Sequence, residues 1–327
     1  MIIMNLNRAL SLAVFAGFTS FVSMVGSLTA QTYPSKPIRV VVPVTPGPLD
    51  TLARLLSERM QEQFRQPFII ENRPGAGGNI GAELVAKSSP DAYTLLYAID
   101  TTFTVNPSLY RKSNFDYEKD FSPVTLIGEF GLVLAVNPQF PANNLQDFIE
   151  LGKRRALSYG SSGNGSPAHL AFAYFQNVAG IKGNHVPYKG ATQSVTDLLA
   201  GQIDSSLVVV SAVAPHIRAG KLRGLGVSVA ARSPLVPEVP TIAELGFPGF
   251  DVGFGFLVMV PAATPEALVN LLHGAIKTAM EDPRAKQNLL VQGINPMALQ
   301  PKEARDWIRK SRTRWASVVQ QSQMSLD

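Results

Sequence analysis

Cysteine is missing from all 327 residues. Its absence removes disulfides, thiolate metal sites and cysteine nucleophiles together. Histidine is scarce, with four residues in the chain, and no two of them stand at the helical spacing that binds a metal ion, so no metal is expected. Charge is thin as well: 16% of residues are Asp, Glu, Lys or Arg against 46% hydrophobic. Such a chain is too apolar for disorder and long enough for one or two packed cores. The net charge is +5, yet its basic residues are scattered. The densest groups are Lys153 to Arg155 and Arg309 to Arg314, and the second has the spacing of a solvated helix face, so no nucleic-acid partner is expected. There is no G-x-S-x-G elbow, no H-E-x-x-H and no P-loop. With no catalytic constellation, the chain reads as a binding protein that needs no cofactor.

The first thirty residues differ from the rest. Arg8 precedes an apolar segment from Ala9 to Val25, followed by small and polar residues ending in "SLTAQ". This is the plan of a secretory signal peptide over residues 1–30, with cleavage after Ala30 or after Ser27. The segment falls short of the roughly 20 residues that span a bilayer, and no later segment is long and apolar enough to cross one. An exported, periplasmic and soluble mature protein is expected.

From Tyr33 onward, short apolar runs alternate with helix-period segments: "IRVVVPV", "LDTLARLLSERM", "PFIIENR", "NIGAELVAKS", "YTLLYAI". Strands that are continuously apolar belong to sheets covered on both faces, as in α/β proteins. The alternation resumes after residue 144, from "LQDFIELGKRR" to "LRGLGVSV". Between the two sets lies "VTLIGEFGLVLAVNP", and later comes "FDVGFGFLVMVP". Each is too long for one ordinary strand, and two extended segments of this kind can join two lobes. Three helical stretches close the chain, each with Pro at or near its first turn.

One stretch invites a chemical reading. From Gly160 to Ser166, six of seven residues are Gly or Ser, directly before the apolar helix pattern "PAHLAFAYF". Free backbone N–H groups at the positive end of a helix hold anions well. A flexible turn with ordinary serine capping is the alternative from these residues alone. The "GAGGNIG" run at 75 to 81 has the glycines of a dinucleotide fingerprint but lacks the acidic partner, and reads as a turn before the second helix. His169, inside the helix after Ser166, reads as a packing or capping group. Lys189 either reaches an anion or stands in solvent.

Export together with two α/β lobes joined by two crossovers is the plan of a bilobal receptor that closes on its ligand about a hinge. Six segments make this specific: "YPSKPIRVVVP", "ENRPGAGGNIGAELVAKSSPDAYTLL", "GSSGNGSPAHLA", "VPYKGATQSVTDLLAGQID", "PHIRAGKLRGLGV" and "RSPLVPEVPTIAELGFPGF". In this order, from about residue 33 to the C-terminus, the chain resembles the Bug receptors, the TctC-like periplasmic components of tripartite tricarboxylate transporters. The resemblance implies a type II-like two-lobe periplasmic binding protein, a "Venus flytrap". Lobe 1 would comprise residues 31–132 and 256–327, and lobe 2 residues 133–255. It also implies two partners, a small carboxylate ligand and the membrane subunits of the transporter, with the receptor acting as a monomer. A receptor that feeds a signalling system instead, or an exported enzyme on a small carboxylate, are the alternative roles.

In such receptors backbone N–H groups and small hydroxyls hold the carboxylate. Carried across, the ligand-binding positions are Thr45 and Gly47 in "VTPGPLD", Asp100, Thr101 and Thr102 in "IDTTF", Ser161, Ser162 and Ser166 in "GSSGNGS", and Gly190 with Ala191 in "YKGAT". Three departures from the family pattern bear on the ligand. The first loop is one residue shorter than the usual P-G-G-x-x-D and carries Pro48, which has no N–H. Asp100 stands where a neutral polar residue is common, and Val208 and Val209 replace a polar pair. Either Asp100 caps a turn and the valines are core, or the pocket has fewer anion donors, a more apolar wall and an acceptor in Asp100. The second reading favours a monocarboxylate, or a dicarboxylate with an apolar body, over a citrate-like tricarboxylate.

Overall fold

The computed structural model describes residues 33–110 and 112–321. The signal-like segment and both cleavage positions lie outside these residues. The chain divides into two units, Met1–Ser35 and Lys36–Asp327. Of the first, Tyr33–Ser35 alone are described, and they form no helix or strand. Among the described residues no helix is long and apolar enough to cross a membrane.

Within the second unit the apolar runs become strands and the periodic segments become helices. The first set is β1 (Ile38–Val42), α1 (Pro48–Phe64), β2 (Phe68–Asn72), α2 (Asn79–Ala86) and β3 (Thr94–Ile99). Two helical turns, α3 (Thr101–Thr104) and α4 (Asn106–Leu109), lead to the long strand β4 (Phe121–Val136). The second set is α5 (Leu145–Arg154), β5 (Leu157–Ser161), α6 (Pro167–Ala179), β6 (Gly183–Pro187), α7 (Ala191–Leu199), β7 (Ser205–Val209), α8 (Val210–Arg218) and β8 (Arg223–Val227). The chain returns through β9 (Gly253–Pro261) and ends with α9 (Glu266–Met280), α10 (Pro283–Val291), β10 (Ile294–Pro296) and α11 (Pro301–Gln321). The "GAGGNIG" segment is a tight 3-10 turn at Ala76–Gly78 that feeds α2. Gly78 sits there at φ +98, and a Cβ on it would stand 2.5 Å from Thr102 Oγ1, so only glycine fits.

The strands form one curled sheet in the order β2-β1-β3-β9-β4-β7-β5-β6, with β8 and β10 also on β4. β1 pairs in parallel with β2 and β3, and β5 does the same with β6 and β7. The local order β2-β1-β3 therefore recurs as β6-β5-β7. In each case the central strand is where the chain's direction of travel across the sheet reverses, and the crevice beyond its carboxyl end is where open α/β sheets bind ligands.

Strand β4 holds the two sets together. The sequence read it as too long for one strand, but its 16 residues are continuous. It achieves that length by changing partners: Phe121 to Gly131 pair with β9, and Leu132 to Val136 pair with β7 and β8. Register shifts near Pro123 and Leu126 bend it on the way. β9 is buried at every position, and Trp315 of α11 stacks on its Phe254 with centroids 5.1 Å apart. The basic stretch on α11 is occupied by structural work: Arg309 and Arg312 both pair with Glu118.

Candidate functional site

Both reversal points open on one cavity of about 420 Å³, within the usual range of about 300–1,000 Å³ for small-molecule sites. From the first set come Thr45, Pro46 and Gly47 of the β1–α1 loop and Ile99 at the end of β3. From the second come Ser161 and Ser162 after β5, Lys189, Gly190 and Ala191 before α7, and Val208 with Val209 at the end of β7. Phe130 and Leu132 of β4 and Phe256 of β9 form the wall between them.

Four helices begin at this cavity, α1, α6, α7 and α8. The first N–H groups of a helix have no partner inside it and carry its partial positive charge. These ends are not equal. α1 starts from Gly47 with Pro48 at its first turn, and Asp50 in that turn already opposes the dipole. Asp50 is held by Arg54 at 2.9 Å and by Asn72 at 2.9 Å, and these hydrogen bonds, Arg54 first, outweigh burial and hold its carboxyl below the usual range. α6 and α7 carry no acid in their first turns, and Gly190 offers no side chain to cap α7. The helix ends whose dipoles are unopposed therefore lie on the second side.

The serine loop is held from beneath by aromatic rings. Ser161 Oγ lies 2.6 Å from His185 Nε2 and accepts from Gly163 N at 3.1 Å. Gly165 N donates to His169 Nδ1 at 3.1 Å, so His169 serves as an acceptor and is neutral there. The two imidazoles stack 3.8 Å apart and nearly parallel, and Tyr159 stacks on Phe172 at the same separation. Burial first, and His185 second, push His169 down to about 4; burial also lowers His185. Deeper still, Ser206 donates to Gly160 O at 2.9 Å and lies 3.4 Å from Ser194 Oγ. These two serines, which the sequence reading did not single out, also line the cavity.

Six of the ten positions expected from the sequence line this cavity: Thr45, Gly47, Ser161, Ser162, Gly190 and Ala191. The structure places the other four elsewhere. Ser166 is the N-cap of α6, its Oγ facing His169 N at 3.5 Å. "IDTTF" is not a loop but runs into the helical turn α3, which turns Thr101 and Thr102 inward, and both are buried. Thr102 Oγ1 donates to Gly77 O at 3.1 Å. Asp100 is fully buried, its carboxylate accepting from Gly255 N at 2.9 Å and Thr104 Oγ1 at 3.2 Å. It ties β3 to β9 behind the cavity wall rather than facing the cavity. Burial, and secondarily the nearby Glu129, push its carboxyl up to about 7 against those two donors. The valines settle differently, since Val208 and Val209 both line the cavity although Val208 is also core. Phe130 and Phe256 went unnoticed because an apolar residue in a crossover strand looks the same whether it faces a core or a cavity. Among the described residues no cluster of His, Cys, Asp or Glu is arranged to hold a metal ion.

Comparison with known proteins agrees with this architecture. Residues 52–324 match the profile of the tripartite tricarboxylate transporter family receptor. The chain belongs to that family. Protein BugT of Bordetella pertussis is 36% identical to the receptor over 98% of both chains. Among solved structures, Rpa4515 of R. palustris with adipate superposes with a TM-score of 0.80 at 32% identity, covering 90% of this chain and 100% of the other. MatC from Rhodopseudomonas palustris with bound malate gives 0.74 at 30% identity, covering 88% and 100%. The periplasmic binding protein BugD and a TctC solute binding protein from Polaromonas are also structural relatives, and the receptor shares their two-lobe α/β fold.

Proposed function

We propose that the receptor captures a small carboxylate between its two lobes, in the periplasm and as a monomer, and delivers it unchanged to the membrane subunits of a tripartite transporter. The observation that carries this reading is the meeting of the α6 and α7 N-termini with Ser161, Ser162 and Lys189 in one cavity whose lining contains no carboxylate. Such a site attracts an anion. Ser161 Oγ receives Gly163 N–H and lies against His185 Nε2, a pairing that this reading assigns to holding the serine loop in shape.

The lobes we propose are residues 31–132 with 256–327, and 133–255. This division is supported by the exchange of β4's partners between Gly131 and Leu132. Closure would bring Thr45 and Gly47 over the serine loop. Asp100, Thr101, Thr102 and Ser166 support the site from behind in this scheme. Adipate and malate, bound by two of the structural relatives, are the first ligands to try. Calorimetric titration of the mature chain with a carboxylate panel should give one site and return the ligand intact. Replacing Ser162 with Ala should weaken binding by about tenfold or more, the loss of a hydrogen bond to a charged group. Turnover of the ligand, or no heat with any carboxylate, would refute the proposal.

A further inference from the structure

We propose that the cavity selects a carboxylate with a single negative charge and an apolar body. This rests on the carboxylate reading above and narrows it. The charge census of the cavity is the starting point. Lys189 is its one cation, exposed at the mouth, and no Asp or Glu lines it. The α6 and α7 N-termini stand on the same side as Lys189, so all strong anion recognition is gathered at one end.

The opposite end offers less: the Thr45 hydroxyl and the N–H groups that follow Gly47, with no cation beside them. The β1–α1 loop lines the cavity with two prolines, Pro46 and Pro48, neither of which has an N–H to offer. The dipole of α1 is already opposed by its own Asp50, which is buried and paired with Arg54. Between the two ends the wall is mostly carbon, with Ser194, Ser206, Ser211 and Gln292 its polar members, and strand register builds the apolar part. Ile99 stands opposite Phe256 across β3 and β9, and Leu132 stands opposite Val209 across β4 and β7. Phe130 packs against Phe256 with ring centroids 5.1 Å apart. A carboxylate seated on the serine loop thus projects its body along aliphatic and aromatic side chains. A second carboxylate at the far end of that body would meet no cation and a helix end already opposed by Asp50, and burying an incompletely paired charge costs more than the burial of its body returns.

Titration of the mature receptor with hexanoate, benzoate, acetate, adipate and citrate tests this. Hexanoate and adipate match in length and differ by one charge; acetate keeps the charge and loses the body. Hexanoate or benzoate should bind at least about tenfold more tightly than adipate, acetate or citrate. Lys189→Gln, at an exposed position, should weaken the preferred ligand and flatten its salt dependence while leaving the melting temperature in place. Val209→Thr, close to isosteric, should lower the ratio of hexanoate to adipate affinity. Tighter binding of adipate or citrate would overturn the single-charge proposal and leave carboxylate reception standing. Acetate binding as well as hexanoate would overturn the role of the apolar wall. Failure of every carboxylate to bind would overturn both readings.

Discussion

Replacing Asp100 with Asn should stabilise the receptor at neutral and alkaline pH. Asp100 is fully buried, and its carboxyl is pushed from 3.8 to about 7, mainly by burial. In the folded chain the protonated form is therefore favoured. Its carbonyl oxygen accepts from Gly255 N, and its hydroxyl can donate to Thr104 Oγ1, which in turn donates to Asp100 O at 3.0 Å. Asn reproduces that pattern, with its amide in place of the hydroxyl. The group contributes stability that is fully present below 3.8 and lost as pH rises through about 7. A shift of about three units corresponds to about 4 kcal/mol at most, at about 1.4 kcal/mol per unit. The variant should match the parent near pH 3.5, gain on it by about 1.4 kcal/mol per pH unit above 3.8, and level off near pH 7. For a chain of this size the full gain is a rise in melting temperature of about 6–8 °C. Urea midpoints for both proteins at pH 4, 5.5, 7 and 8 measure it. If the variant is the less stable one at pH 8, or if the gap does not widen with pH, the assignment of Asp100 as a costly buried charge is wrong.

Histidine gives the opposite slope. The fold holds His169 neutral, so its contribution is complete above the unfolded value of 6.5 and lost as pH falls through about 4; His169→Gln should flatten the acid limb of the melting curve between those values, by about 3 kcal/mol at most. Ser166→Ala removes the N-cap of α6 and should cost about 1 kcal/mol of stability, with a smaller effect on ligand affinity than Ser162→Ala; equal losses of affinity in calorimetry would place Ser166 at the ligand after all. Trp315→Ala empties the stack on Phe254 and should cost about 3–5 kcal/mol, read as a lower urea midpoint; a change below about 1 kcal/mol would mean that α11 is not anchored to β9 by this contact.

What the sequence by itself determined was the succession of elements and the places where helices begin. Continuous apolar runs specified strands covered on both faces, and the Gly, Ser and Pro residues before α2, α6 and α7 marked turns whose backbone demands left little choice. That is why Ser161, Ser162, Gly190, Ala191, Thr45 and Gly47 were found at the cavity: each sits at a strand end or helix start, a position set locally. The rest was decided by tertiary structure. Whether "IDTTF" presents its hydroxyls or turns them inward depends on Gly255 and Gly77, distant in sequence, offering partners to Asp100 and Thr102. His185 finds Ser161 only because β5 and β6 pair in the register that sets Ser161 against Pro187. Above all, periodicity reports which face of an element is apolar but not what lies against it. Phe130, Phe256, Val208 and Val209 would have the same sequence signature against a filled core. The exchange of partners along β4 leaves those side chains facing open space, because the strand must turn from one set of neighbours to the other at the point where the two reversal points of the sheet meet.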